Sequence, residues 1–170
     1  MTPLFKKLNL SGQSVIHVID APDSFVPALA ALAGVDVRRE LDGSCCFVIA
    51  FAVTQAELDE ASRRIAACAQ GDAVVWIAYP KGTSRRYRCE FNRDAGWAVL
   101  GAAGHEAVRQ VAIDEDWSAL RFRKVEYITS ITRNPAGAIS TDGRDRASRA
   151  RTTTRGAGAM ARSTSRRRLP

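Results

Sequence analysis

Cys46-Phe47-Val48-Ile49-Ala50-Phe51-Ala52-Val53 runs directly into Thr54-Gln55-Ala56-Glu57, and the fold class follows from that junction. Successive side chains of a strand point to opposite faces, so an unbroken apolar run buries both faces, whereas a strand with one wet face alternates. Thr54 and Glu57 have the spacing of a capping box, in which hydroxyl and carboxylate take up free backbone N–H groups at a helix start. Leu58, Ala61, Ile65 and Cys68 then recur on one helical face, and Gly71 is the expected stop. A doubly buried strand feeding an amphipathic helix is the repeating unit of a parallel sheet covered by helices on both sides.

The same pattern extends outward in both directions. Upstream, Ser14 to Asp20 is a strand with apolar residues on both faces. After the Ala21-Pro22-Asp23-Ser24 turn, Phe25, Leu29 and Leu32 have helical spacing and Gly34 is a natural helix end. Val35 to Leu41 reads as an outer strand closed by Asp42-Gly43. Downstream, Ala73 to Tyr79 is a further buried strand stopped by Pro80. Phe91, Ala95, Val99 and Ala102 fall on one helical face ending at Gly104, with Gly96 as its weak point. Val108 to Ile113 is a strand, and Ser118 to Glu126 another, joined across Asp114-Glu115-Asp116-Trp117. In the latter, Leu120 and Phe122 lie on one face and Arg121 and Arg123 on the other, the alternation expected of an antiparallel edge strand. The expected fold is α/β: a small three-layer Rossmann-like sheet, mainly parallel, with an antiparallel edge strand.

The chain of 170 residues carries a net charge of +7, which suggests a nucleic-acid binder until the charge is divided along it. Residues 1–132 hold 15 Lys+Arg against 16 Asp+Glu, whereas residues 133–170 hold 10 Arg against 2 Asp. The expected organisation is one domain over 1–132 and a disordered Arg-rich tail over 133–170, where Ile139, Met160 and Leu169 are the only large apolar side chains. The tail's arginines suit salt-dependent, sequence-blind nucleic-acid binding, or serve only to keep the chain soluble. It has no aromatic residue with which to stack on bases.

No apolar run approaches the roughly 20 residues that cross a bilayer, and Met1 to Gly12 lacks the apolar core of a secretion signal. A cytoplasmic protein without membrane attachment is expected. Cys45, Cys46, Cys68 and Cys89 form no C-x-x-C pair and neither His17 nor His105 sits beside one, so no metal site is expected. Cys45 and Cys46 read as small buried apolar groups, and the two histidines as structural.

Ligands of open α/β sheets bind beyond the carboxyl ends of the strands, where the strand order reverses. The residues expected there are Asp20, then Lys81, Gly82, Thr83, Ser84 and Arg85, then Asp114 and Asp116. Gly82 would let a backbone approach while Lys81, Arg85, Arg86 and Arg88 supply cations, which suits a phosphate or carboxylate. The alternative is a solvated basic loop whose arginines pair with Glu90, Asp94 and the acidic turn. That turn has two readings as well: carboxylates for acid/base work or for a divalent cation, or a side-chain cap over a packed Trp117. The loop is not a P-loop, because its lysine precedes the glycine, and Asp20 to Phe25 contains none of the glycines of a dinucleotide fingerprint.

Tyr79-Pro80-Lys81-Gly82-Thr83-Ser84, Glu90-Phe91-Asn92-Arg93-Asp94-Ala95-Gly96-Trp97 and the stretch from Val111 to Glu126 carry a resemblance. Over roughly residues 3–132 the chain resembles a bacterial family of small cytoplasmic proteins of unknown function, which implies the domain boundary and no activity. The order of elements is also similar to the later half of class I methyltransferases, which implies a degenerate methyltransferase-like enzyme without the glycines that seat an adenosyl cofactor. The expectation that the residues favour is a non-catalytic domain binding a small anionic ligand or a protein partner at the strand carboxyl ends. Tail-mediated nucleic-acid association and the methyltransferase-like enzyme are the alternatives.

Overall fold

A computed structural model describes residues 2–130 and 135–160. Its centre is a six-stranded sheet of order β2-β1-β3-β4-β6-β5, formed by β1 (Val15–Ile19), β2 (Asp36–Arg38), β3 (Cys45–Phe51), β4 (Ala69–Pro80), β5 (His105–Ala112) and β6 (Trp117–Lys124). The first four strands are parallel, β6 runs antiparallel to both its neighbours, and the α/β class is as expected.

The alternation of side chains through the central strands sorts the core into two layers. Phe47, Ile49 and Phe51 of β3 and Val74, Trp76 and Ala78 of β4 pack with Phe5 from α1 (Pro3–Lys7), Leu8 just after it, and Leu29 from α2 (Val26–Ala30). Val48, Ala50, Val75 and Ile77 face the other way, against Leu58 and Ile65 of α3 (Gln55–Cys68) and Leu100 of α4 (Ala98–Ala102). The β3–α3 junction forms as its residues dictate. The Thr54 hydroxyl accepts from the Glu57 N–H at 3.2 Å, and the Glu57 carboxylate accepts from the N–H groups of Thr54 and Val53 at 3.0 and 2.8 Å. Those backbone bonds hold the Glu57 carboxyl below its ordinary range. The helix ends at Cys68, and Gly71, expected as its stop, sits inside β4 with φ +56°.

Two expected elements differ. The strand with alternating arginines, β6, is interior rather than at the edge: it pairs with β4 from Val75 to Pro80 and with β5 on its other side. Alternation reports one poorly covered face, and an interior strand can have such a face as readily as an edge strand. There Arg123 meets Asp72 through two bonds of 2.8 and 2.5 Å, which hold the Asp72 carboxyl below its ordinary range. The edge is β5, where Val108, Arg109 and Gln110 are exposed. The second difference is the helix expected from Phe91, which begins only at Ala98. Gly96 has φ +108°, outside the helical region, and the Asn92 side chain caps a turn by accepting from the Asp94 N–H at 2.8 Å. Cys46 also departs from expectation: Cys45 is buried, but its neighbour faces out and is exposed.

The segment read as a tail is described in part. Helix α5 spans Thr141–Met160, and before and within its first turns Ala138, Ser140 and Ala147 are buried. The Glu106 carboxylate, itself buried, accepts from the backbone N–H and hydroxyl of Ser140 at 2.6 and 2.8 Å, and the Arg146 guanidinium donates to the Val125 carbonyl. Ile139, between the buried Ala138 and Ser140, packs against the core layer that holds α3 and α4. The boundary placed at Thr132 and the arginines from 162 to 168 lie outside the described residues.

Candidate functional site

Strand order reverses between β1 and β3: the chain leaves β1 for β2 on one side and returns to β3 on the other. At that reversal the expected ligand site is only a small hollow of about 200 Å³, lined by Asp20, Phe51, Val53, Glu57, Tyr87 and Trp117 among others. Aromatic rings close it. Trp117 lies 5.2 Å from Phe51 and 5.0 Å from Tyr87 between ring centroids, and Phe51 continues to Phe25 at 4.9 Å. Asp20 takes the left-handed conformation, φ +53°, which turns the chain straight into the short helical turn Asp23–Phe25.

A much larger cavity, about 890 Å³, opens beyond the carboxyl end of β4. Its size falls in the range of small-molecule sites, roughly 300–1,000 Å³. Lys81, Gly82, Thr83 and Ser84 line it, with Arg88, Arg93 and the rings of Tyr79, Tyr87 and Phe91. Gln110 and Ser118 contribute from β5 and β6, and Gln110 donates to the Tyr79 hydroxyl at 3.1 Å. Four of the eight residues expected at the site therefore share one cavity. Asp20 lines the separate small hollow, while Arg85, Asp114 and Asp116 line neither.

The acidic turn is a brace for the cavity loop. Asp114 accepts from the N–H groups of Asp116 and Trp117 at 2.9 and 2.8 Å and from the Ser24 hydroxyl at 3.1 Å, which accounts for both of its oxygens. Asp116 accepts from the Ser84 hydroxyl at 2.7 Å, and Ser84 in turn accepts from the N–H groups of Arg86 and Tyr87 at 3.2 Å. The Lys81 ammonium donates to the Asp114 carbonyl at 2.5 Å, using one of its three protons. Arg86 reaches Asp116 at 4.0 Å, one of the pairs expected of a basic loop. A Cβ at Gly82 would meet nothing within 4 Å, so no close backbone approach demands glycine there.

The balance of charge in the cavity is positive. Lys81, Arg88 and Arg93 face one carboxylate, Glu90, and that carboxylate already accepts from the backbone N–H of Gln55 at 2.8 Å at the start of α3. An acid at a helix N-terminus is stabilised by the helix dipole and has less to offer a third party. No side-chain hydrogen bond or ion pair holds Arg88 or Arg93 among the described residues, and both are exposed. Burial pushes the Tyr79 hydroxyl and the Cys89 thiol above their ordinary values, which keeps both neutral. Among the described residues no group of three or more His, Cys, Asp and Glu side chains is placed to hold a metal ion. Arg93, Phe91 and Gln110 were not legible as site residues, because the helix expected from Phe91 points Arg93 elsewhere and Gln110 arrives only through the sheet order. The Asn92 to Gly96 turn, rich in residues that favour turns, was the available signal.

No protein-family model matches the chain, and no curated protein does. Solved structures match at low identity. N-methyltransferase NodS from Bradyrhizobium japonicum is 14% identical, with a TM-score of 0.45 over 71% of this chain and 92% of that one. LepI in complex with SAM is 14% identical, with a TM-score of 0.42 over 72% of this chain and 47% of that one. A structure described as a pericyclic reaction enzyme is 15% identical, with a TM-score of 0.40 over 71% of this chain and 38% of that one. The chain thus spans less than half the length of the LepI and pericyclic-enzyme chains and most of the NodS chain.

Proposed function

We propose that the chain is a binding domain for a small anionic ligand, seated in the cavity beyond β4. The observation that carries this is the imbalance there: three cations and an aromatic wall, with the one lining carboxylate already bonded to a helix start. Burying an anion in such a setting is favourable because charge-assisted bonds to guanidinium replace those to water, and Arg presents a planar fork matched to phosphate or carboxylate. The ligand's body would lie against Tyr79, Tyr87 and Phe91, and its anionic group against Arg88, Arg93 and the free protons of Lys81. The site is read as one for binding rather than chemistry, since Asp114 and Asp116, the carboxylates nearest to acid/base work, are committed to the turn. Residues 1–132 are the binding unit in this proposal, and the protein acts in the cytoplasm; among the described residues no helix is long and apolar enough to cross a membrane.

Calorimetry with inorganic phosphate, pyrophosphate and phenyl phosphate, with phenol as the uncharged control, tests it. The aromatic anion is expected to bind most tightly, and Arg88→Ala with Arg93→Ala to weaken it at least tenfold, about 1.4 kcal/mol. Unchanged affinity in the double variant, or equal binding of phenol, would sink the proposal.

A further inference from the structure

Far from the cavity, two thiols meet in the core between β3 and α3. Cys45 opens β3 and Cys68 closes α3; the next residue, Ala69, is the register partner of Cys45, so the sheet itself brings the two side chains together. Both are buried, at 1% and 7% exposure, and their sulfurs lie 2.7 Å apart. Non-bonded heavy atoms settle at roughly 3.5–4.0 Å, so the packing presses the pair toward a covalent separation. The Cys68 thiol donates to the Ile65 carbonyl at 3.6 Å, leaving its lone pairs for Cys45. A metal would need three or four ligands, and no third His, Cys, Asp or Glu side chain completes such a group among the described residues. Burial, and next the neighbouring thiol, push the Cys45 thiol far above its ordinary value.

We propose that Cys45 and Cys68 are a site of reversible oxidation that takes a small-molecule disulfide such as oxidised glutathione and closes to an intrachain disulfide. In a local opening that brings the start of β3 and the end of α3 to solvent, one of the two thiols loses its proton and, as its thiolate, attacks a sulfur of the reagent, forming a mixed disulfide and releasing one glutathione thiolate. The other cysteine, losing its proton, attacks the protein sulfur of that mixed disulfide and releases the second glutathione. Two protons leave the protein thiols, the Cys45–Cys68 bond forms, the reagent's S–S bond breaks, and its two sulfurs take up the two electrons. The product clamps the start of β3 to the end of α3 and closes a loop around the junction that decides the fold, restricting the unfolded chain. Exposed Cys46, on the far side of the strand, takes no part.

The test uses the full chain carrying Cys46→Ala, incubated with oxidised glutathione at pH 8, alkylated after unfolding and digested with trypsin. The expected product is lighter by two hydrogens, links the peptides 40–63 and 65–81, reverts with dithiothreitol, and melts at higher temperature than the reduced form. Adding Cys68→Ala must abolish the link. Recovery of both cysteines alkylated, or a glutathione adduct that persists on either one without linked peptides, would overturn the proposal.

Discussion

At the reversal between β1 and β3 the rings of Phe51, Tyr87 and Trp117 leave about 200 Å³, while one strand further on the loop after β4 leaves about 890 Å³. Both openings lie at carboxyl ends of the same sheet and share Tyr87 as a wall. They differ in how the chain leaves the strand. After β1 the backbone turns at once through Asp20 into a helical turn, and aromatic side chains occupy the space. After β4 the chain travels from Lys81 to Trp97 before the next helix, tied down at its start by the Asp114–Asp116 turn and at its end by Glu90 and the buried rings of Phe91 and Trp97. A topological switch point marks where a ligand site is easy to build, and side-chain volume then decides whether one exists.

Three substitutions press on that contrast. Trp117→Ala removes the ring that fills the smaller hollow, and should cost about 3–5 kcal/mol in denaturant unfolding, as truncation of a buried aromatic does; a loss under about 1 kcal/mol would mean that the hollow is not held shut by packing. The cavity loop has its own pivot at Gly96, where φ is +108° and a Cβ would stand 2.6 Å from the Phe91 Cβ. Gly96→Ala is therefore expected to cost about 2–3 kcal/mol, against about 0.5 kcal/mol or less for Gly82→Ala in open space. Equal effects at the two glycines would remove the strained turn from the account of how the cavity is shaped.

The smallest effect concerns His105, at the opposite end of the sheet from both openings. It is 2% exposed, and burial, with Lys124 adding repulsion, lowers its pKa below 6.5. The folded state thus keeps the ring neutral where the unfolded chain takes a proton. Its contribution is present above the unfolded value of about 6.5 and is lost as pH falls through the folded value. His105→Leu should flatten the decline in stability between about pH 6.5 and 5 without changing ligand affinity at pH 7. An unchanged slope would show that other groups carry the acid sensitivity.

Much of the molecule follows from local sequence. The apolar run into Thr54-Gln55-Ala56-Glu57 specifies a buried strand and a capped helix because each group involved finds its partner within a few residues. The same holds for the Asp114 turn, whose carboxylate bonds its own backbone two and three residues on. The loop from Lys81 is polar, glycine-bearing and cationic, and those properties alone mark it as a candidate site. Strand order is a different matter. Arg121 and Arg123 alternate as they would at an edge, and only the pairing of β6 with β4, between residues 37 to 47 apart in the chain, shows the strand to be interior. The same distant pairing brings Gln110 and Ser118 to the cavity and Phe51 to Trp117, while the pairing of β3 with β4 brings Cys45 to Cys68. What the residues determined by themselves were the elements, their caps and the charge of the loop, which depend on neighbours in sequence. Which opening stays empty, and which is filled, was decided by side chains from distant strands competing for the same volume, and that competition exists only in the folded chain.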